Sequence, residues 1–346
     1  MLYFHNDYNE ACHDAVLQKM QENRGNQMGG YSVDTACHNA ASLIRELCKD
    51  ETLAVHFLVG GTQANLTVIA AALRPHQAAL GAATAHINVH ETGAIEATGH
   101  KVLSLPTADG KITADQIRDS VDAHFADEAF EHIPQPKLVY ISNPTELGTI
   151  YNLAELEAIS KVCREKHLYL FVDGARLGYA LAASGNDVTL EDLARLTDVF
   201  YIGGTKVGAL FGEAVVISNP KIAEDFRYIM KQHGGMLAKG WLLGLQFEAL
   251  MENGLYFEIA AHADRMADKI RETLHQCGYP LLVEGVTNQV FPILPDILLD
   301  QLKKNFTFSE QQRVDESHRA VRFCTSWATT EESVDALCAE IVKLSK

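Results

Sequence analysis

Between Lys137 and Val172 the sequence spells out a strand, a helix and a second strand. Leu138-Val-Tyr-Ile141 is a short apolar run, Leu153, Leu156, Ile159 and Cys163 recur at helical spacing, and Leu168-Tyr-Leu-Phe-Val172 is apolar again. A crossover of this kind leaves its two strands parallel. Further strand-like runs lie at Val55–Val59, Val199–Ile202 and Ala214–Ile217. The last follows glycines and is expected to be the antiparallel member of the sheet. Apolar strands alternating with amphipathic helices, without repeats, low-complexity tracts or a flexible linker, define an α/β chain.

Two of these strands end in reactive residues. Leu168–Val172 continues into Asp173-Gly-Ala-Arg176, and Val199–Ile202 into Gly203-Gly-Thr-Lys206. Open α/β sheets bind ligands at the carboxyl ends of their strands. There Lys206 could form a Schiff base with an aldehyde, and Asp173 could bond a ring nitrogen. That pair points to pyridoxal 5'-phosphate as cofactor. Asp173 must stay charged for this, and a nearby cation is expected to favour its carboxylate. The competing readings are a strand-end lysine with its amine in water, and a turn-capping Asp173 paired with Arg176.

Val59-Gly-Gly-Thr-Gln-Ala-Asn-Leu66 follows a strand and opens a helix, a junction that offers N–H groups and a hydroxyl to phosphate. It is neither a P-loop nor a G-x-G-x-x-G fingerprint. An ordinary N-cap by Thr62 is the alternative. Next comes His86-Ile-Asn-Val-His90-Glu91, which resembles half of a zinc-protease motif, but Ala94 stands where the second histidine belongs. No metal is therefore expected. Either imidazole could stack on a cofactor ring, shuttle a proton, or serve as a hydrogen-bonded structural group.

Beyond about Met251 the texture changes. A helix over Tyr256–His275 precedes strand-like Val290–Ile293, a short helix, and Ala320–Thr325. Thr329 and Glu332 have capping-box spacing ahead of a stripe of Val334, Leu337, Ile341 and Leu344. The expected organisation is a large domain over residues 1–250, including the N-terminal segment, and a small α+β domain over 251–346. With 29 basic and 45 acidic side chains the formal net charge is −16, which argues against nucleic acid or an anionic membrane as the main partner. Met1–Tyr8 shows no secretory pattern, and no apolar stretch approaches membrane-spanning length. Seven scattered cysteines without a C-x-x-C pair suit a reducing cytoplasm.

Gly60-Gly-Thr-Gln-Ala-Asn65, Ala85-His86 followed by Glu91-Thr-Gly93, Val172-Asp-Gly-Ala-Arg176, the turn at Lys206 and Val321-Arg322-Phe323 stand in an order that resembles the L-threonine aldolases. These belong to the β-eliminating lyase group of fold type I pyridoxal-phosphate enzymes. The resemblance implies a mainly parallel seven-stranded sheet flanked by helices, a smaller C-terminal domain, and a homo-oligomer, dimer or tetramer, with shared active sites. It implies cleavage of the Cα–Cβ bond of L-threonine, L-allo-threonine or a related β-hydroxy amino acid to glycine and an aldehyde. The alternative on the same scaffold is β-elimination, releasing ammonia and an oxo acid.

The same resemblance distributes roles. Lys206 would carry the cofactor, Asp173 would bond its ring nitrogen, and His86 would stack on the ring. Gly61, Thr62 and Gln63 would border the phosphate. Arg176 and Arg322 would hold the substrate carboxylate, with Asn6 and Tyr31 beside it, and Lys231 would reach a neighbouring subunit's cofactor. His86 or His90 would take the β-hydroxyl proton. The chain departs from many relatives in three places: Ile141-Ser-Asn-Pro-Thr-Glu146 lacks a second histidine, a role Thr145 cannot fill as a base; Asn6-Asp7-Tyr8 replaces a Ser-Asp-Thr-like stretch; and Gly203-Gly-Thr205 replaces serines.

Overall fold

The computed structural model describes residues 1–346. Its strands are β1 (Leu2–Tyr3), β2 (Ala54–Leu58), β3 (Gln77–Ala82), β4 (Lys101–Leu105), β5 (Gln135–Ser142), β6 (Tyr169–Asp173), β7 (Val199–Gly203), β8 (Glu213–Ile217), β9 (Gln289–Val290), β10 (Ile293–Pro295), β11 (Phe306–Thr307), β12 (Ser309–Arg313) and β13 (His318–Cys324). Seven of them form one sheet in the order β2-β8-β7-β6-β5-β3-β4. β8 is antiparallel to both neighbours, as expected, and the other pairings are parallel.

The crossover lies where the periodicity put it. The helix Leu153–Glu165 joins β5 to β6, starts at a capping box between Asn152 and Glu155, and buries Leu156, Ile159, Val162 and Cys163. β3 and β4 carry no comparable signal. The Gln-Ala-Ala-Leu-Gly-Ala of β3 has weak strand propensity, and its complete burial between β4 and β5 decides its conformation.

Six strands run their carboxyl ends to one edge, and the reversed β8 brings its amino end there. Glu213 stands opposite Leu58 on one side and Gly203 on the other, while Ser142 stands opposite Asp173. The chain approaches itself closely at this edge. A Cβ on Gly174 would lie 1.8 Å from the Tyr201 carbonyl oxygen, and one on Gly203 would lie 2.3 Å from that of Ala175. Glycine at both positions lets the turns after β6 and β7 sit side by side.

Two apolar cores support this edge. The larger gathers residues from Cys12 to Ala263 around the sheet; the second gathers Phe4 with residues from Met266 to Ile341. The helix Leu255–Gln276 serves both, with Tyr256, Ile259, Ala260 and Ala263 in the first and Met266, Ala267, Ile270 and Leu274 in the second. A division at 250/251 is a proposal drawn at the entrance to this helix. Around the second core β10, β13 and β12 pair antiparallel, β9 also joins β13, and β1 pairs with β11.

Two details differ from the sequence reading. Val290–Ile293 is not one strand: β9 and β10 are separated at Phe291-Pro292, where proline has no N–H to continue a ladder. The last helix, Glu331–Leu344, is capped by Thr330 on the Ser333 N–H, because the Thr329 hydroxyl already accepts from the Ser326 N–H at 2.8 Å. No helix is long and apolar enough to cross a membrane.

Gly174→Ala is expected to destabilise the protein by about 3 kcal/mol, since the methyl meets backbone rather than a movable side chain. Urea unfolding of the two proteins tests this; a difference below ~0.5 kcal/mol would mean that β6 and β7 part freely at this edge.

Candidate active site

A cavity of about 190 Å³ opens at the edge, and Gly61, Thr62, His86, Asp173, Arg176 and Lys206 all line it. A roomier hollow of about 400 Å³ lies among Asp34, Arg45, His56 and Arg227 and contains none of these residues. The chemistry-bearing side chains are therefore concentrated in the smaller space.

Asp173, at the end of β6, is buried. Its Oδ2 accepts from Asn65 Nδ2 at 3.0 Å and from the Tyr140 hydroxyl, and its Oδ1 accepts from the Ala175 N–H at 2.9 Å. Burial pushes the Tyr140 phenol well above its usual range, so it stays a donor. Neutral donors make all of these contacts, and the expected cation is Lys206, whose charge acts on Asp173 across the cavity without a direct ion pair. Asn65 also donates to Glu91 Oε1 at 2.7 Å, and that oxygen lies 2.7 Å from His86 Nδ1. One hydrogen-bonded chain thus fixes both Asp173 and the imidazole of His86.

Arg176 turns away from Asp173 to Asp7. Its Nε and one terminal nitrogen donate to the two Asp7 oxygens at 2.6 and 3.0 Å, and Asn288 Nδ2 adds a bond to Asp7 at 2.9 Å. Burial opposes ionisation of Asp7, but the charges of Arg176 and Lys206 hold its carboxyl down at about 2. Burial, then the charge of Arg176, lowers the Lys206 amine below the ordinary lysine range. A lysine of this kind is poised to add to an aldehyde.

The helix Gly61–Ala72 has Gly60 at its N-cap and no side-chain cap, which sets aside a capping role for Thr62 and leaves the first N–H groups without a side-chain acceptor. That end suits a phosphate. A Cβ on Gly61 would stand 3.1 Å from the Tyr201 hydroxyl, which is buried and has no partner. Uncapped N–H groups, an orphaned hydroxyl, an acid held by three donors and a lysine of depressed basicity around one cavity fit pyridoxal phosphate.

Other candidates stand outside the cavity lining. The Gln63 carboxamide accepts from the Val59 N–H and donates to the His233 carbonyl, both at 3.2 Å, so it braces the helix start. His90 is exposed, its ring 5.5 Å from that of His86. Burial and the charges of His86 and Arg322 lower its pKa. Arg322 donates to Gln289 Oε1 and to the His5 carbonyl, each at 3.0 Å. Asn6 accepts from the Tyr8 N–H at 3.1 Å, a local turn contact. Tyr31 and Lys231 are exposed and meet each other, ammonium 4.8 Å from ring centre.

Sequence reasoning missed Asn65 and Tyr140 at Asp173, and Tyr201, Glu146 and Glu213 in the cavity. Glu146 accepts from Ser142 Oγ at 2.7 Å and from the His86 N–H at 2.8 Å, and burial raises its pKa. A carboxylic acid thus stands in the segment that lacks the histidine. The signal for Glu213 was its position: an acid opening an otherwise apolar strand.

Fold and cavity together define a pyridoxal-phosphate enzyme of fold type I. The pattern of the family described as beta-eliminating lyase matches residues 10–296, and the chain belongs to that family, in its threonine aldolase branch. A low specificity L-threonine aldolase of Pseudomonas aeruginosa is 31% identical, across 97% of this chain and 95% of that one. The solved structure of Leishmania major threonine aldolase is 44% identical, superposes with a TM-score of 0.97 and covers 100% of both chains. Aspartate aminotransferase of Thermus thermophilus shares the fold at 15% identity, with a TM-score of 0.73 over 99% of this chain and 91% of its own.

The Asp7–Arg176 pair carries a pH signature. The charges of Arg176 and Lys206 hold the Asp7 carboxyl at about 2, below its ordinary value of 3.8, so its stabilisation is present above about pH 4 and fades as pH falls toward 2. Asp7→Asn is expected to cost about 3 kcal/mol at neutral pH, because Arg176 is left buried without its partner. The deficit should shrink between about pH 4 and pH 2, as followed by urea unfolding across that range; a deficit that does not change with pH would refute the linkage.

Proposed function

We propose that the chain is an aldolase that cleaves the Cα–Cβ bond of L-threonine, L-allo-threonine or a related β-hydroxy amino acid, yielding glycine and an aldehyde. The observation that carries this reading is the convergence of Lys206, Asp173 and Arg176 on one cavity. Its relatives' names agree with it.

Bound pyridoxal phosphate supplies the electron sink that makes a bond at Cα breakable. Lys206 would hold the cofactor through its aldehyde, Asp173 would face its ring nitrogen, and His86, fixed by Glu91, would lie against its ring. The N–H groups of Gly61, Thr62 and Gln63, at a helix start without a side-chain cap, would hold its phosphate. Arg176 and Arg322 bind the substrate carboxylate, a task suited to planar guanidinium groups, with Asn6 beside them. Arg176 has one terminal nitrogen not used by Asp7, and Arg322 Nε is buried without a partner.

Removal of the β-hydroxyl proton falls to His86 or His90. The lowered pKa of His90 favours a neutral imidazole able to accept it. Lys231 serves the cofactor of a second copy in a homodimer or a dimer of dimers, and its exposure outside the lining of this chain's own cavity supports that assignment; Tyr31, whose ring centre lies 4.8 Å from the Lys231 ammonium, is assigned to the substrate. The cytoplasm is the proposed location, consistent with seven free cysteines.

The test is release of glycine and aldehyde from L-threonine, L-allo-threonine and L-phenylserine with pyridoxal phosphate supplied. Equal amounts of both products are expected, with none from Lys206→Ala. The double variant His86→Ala, His90→Ala should turn over at least ~100-fold more slowly. Ammonia and an oxo acid in place of glycine would assign the chain to β-elimination, and unchanged turnover in both single variants and the double variant would remove the histidines as base.

A further inference from the structure

The acid at the start of β8 has no part in the chemistry described so far. Glu213 is 3% exposed, lines the same cavity as Lys206, and is fixed by strand pairing opposite Leu58 and Gly203. Its Oε1 accepts from the Thr205 hydroxyl at 3.0 Å, and its Oε2 is buried with no hydrogen-bond partner. A buried carboxyl oxygen without a donor is costly as an anion and inexpensive as an acid.

The surrounding charges leave Glu213 a definite role. Arg176 is matched by Asp7. Asp173 is committed to Asn65, Tyr140 and Ala175. The other titratable groups around the cavity are the Tyr201 and Tyr256 phenols, both held protonated by burial, the His86 ring, bonded to Glu91, and Glu146, bonded to Ser142 and the His86 N–H. Lys206 alone is left to exchange a proton with it.

We propose that Glu213 is a positioning residue for the Lys206 amine, sharing one proton with it across the cavity and so setting the pH at which that amine is a nucleophile. This rests on the reading of Lys206 as the cofactor lysine. In the exchange an Nζ–H bond breaks, an O–H bond forms at Oε2, and the electron pair stays on nitrogen. No ion pair joins the two groups directly; the cavity of about 190 Å³ has room for water, at about 30 Å³ per molecule, to carry the proton. Burial pushes the Glu213 carboxyl up to about 8, and the charge of Lys206 opposes that rise.

The test is the rate at which apoenzyme captures pyridoxal phosphate, read from the absorbance of the bound cofactor and by borohydride fixation, as a function of pH. Glu213→Gln keeps the shape of the side chain and removes its charge. The acid limb of the capture profile should move to lower pH by up to about one unit, because the amine has lost one of the three anions, with Asp7 and Asp173, that favour its protonation, and the one that can itself take up the proton. Thr205→Val removes the donor that supports the carboxylate, and should move the limb in the same direction by less.

Profiles coincident with wild type in both variants overturn the proposal. If Glu213→Gln fails to fold by circular dichroism, Thr205→Val decides it: a shift supports the shared proton and coincidence overturns it. Failure of the wild-type apoenzyme to capture cofactor, or equal borohydride fixation in Lys206→Ala, would instead remove the assignment of Lys206 on which the inference rests.

Discussion

The site depends on how closely β6 and β7 can lie at their carboxyl ends. Asp173 leaves one strand and Lys206 follows the other, so the separation of acid from amine is set by backbone contact between Gly174 and Tyr201 and between Gly203 and Ala175. Side chains there would force the turns apart. The reversal of β8 uses the same edge: an antiparallel strand presents its first residue where its neighbours present their last, and Glu213 thereby enters a cavity otherwise built from strand ends.

Electrostatics in so small a space must be nearly balanced, because each uncompensated charge loses much of its hydration. Two strategies are visible. Arg176 and Asp7 neutralise each other through two hydrogen bonds. Asp173 takes neutral donors, an arrangement that leaves its carboxylate available to a cationic ring nitrogen rather than already paired with a guanidinium. A cation beside Asp173 would compete with the cofactor for the same charge. Placing the arginine on Asp7 removes that competition and leaves Arg176 at the cavity wall.

The strands carrying Asp173 and Lys206 were legible because buried parallel strands are apolar runs that end abruptly in polar residues, and the helix between β5 and β6 because its buried positions keep a regular period. β3 was not, since alanine and glycine are chosen there by the space between neighbouring strands, which a linear pattern does not express. Residues that touch the chemistry sit next to glycines and strand ends and could be found. Residues that position them, Asn65 on a helix and Tyr140 inside β5, look like ordinary helix and strand members, and only the fold brings them to Asp173. Asp7 was noted as part of a departure, but its partner Arg176 is 169 positions away.

That long-range pair also explains why the two cores act on one site. The chain from Phe4 to Asp7 leaves the second core and enters the first: the Cys324 N–H donates to the Phe4 carbonyl at 2.9 Å, Arg322 donates to the His5 carbonyl at 3.0 Å, and Asp7 is held by Arg176 and Asn288. Arg322 on β13 and Arg176 after β6 are thus tied to neighbouring residues of one short segment. A shift of the second core relative to the sheet would have to carry this segment with it, and that would strain the buried ion pair at Asp7. The spacing of two guanidinium groups proposed to grip one carboxylate is therefore governed by the N-terminal segment, whose Asp7 can do this only while ionised.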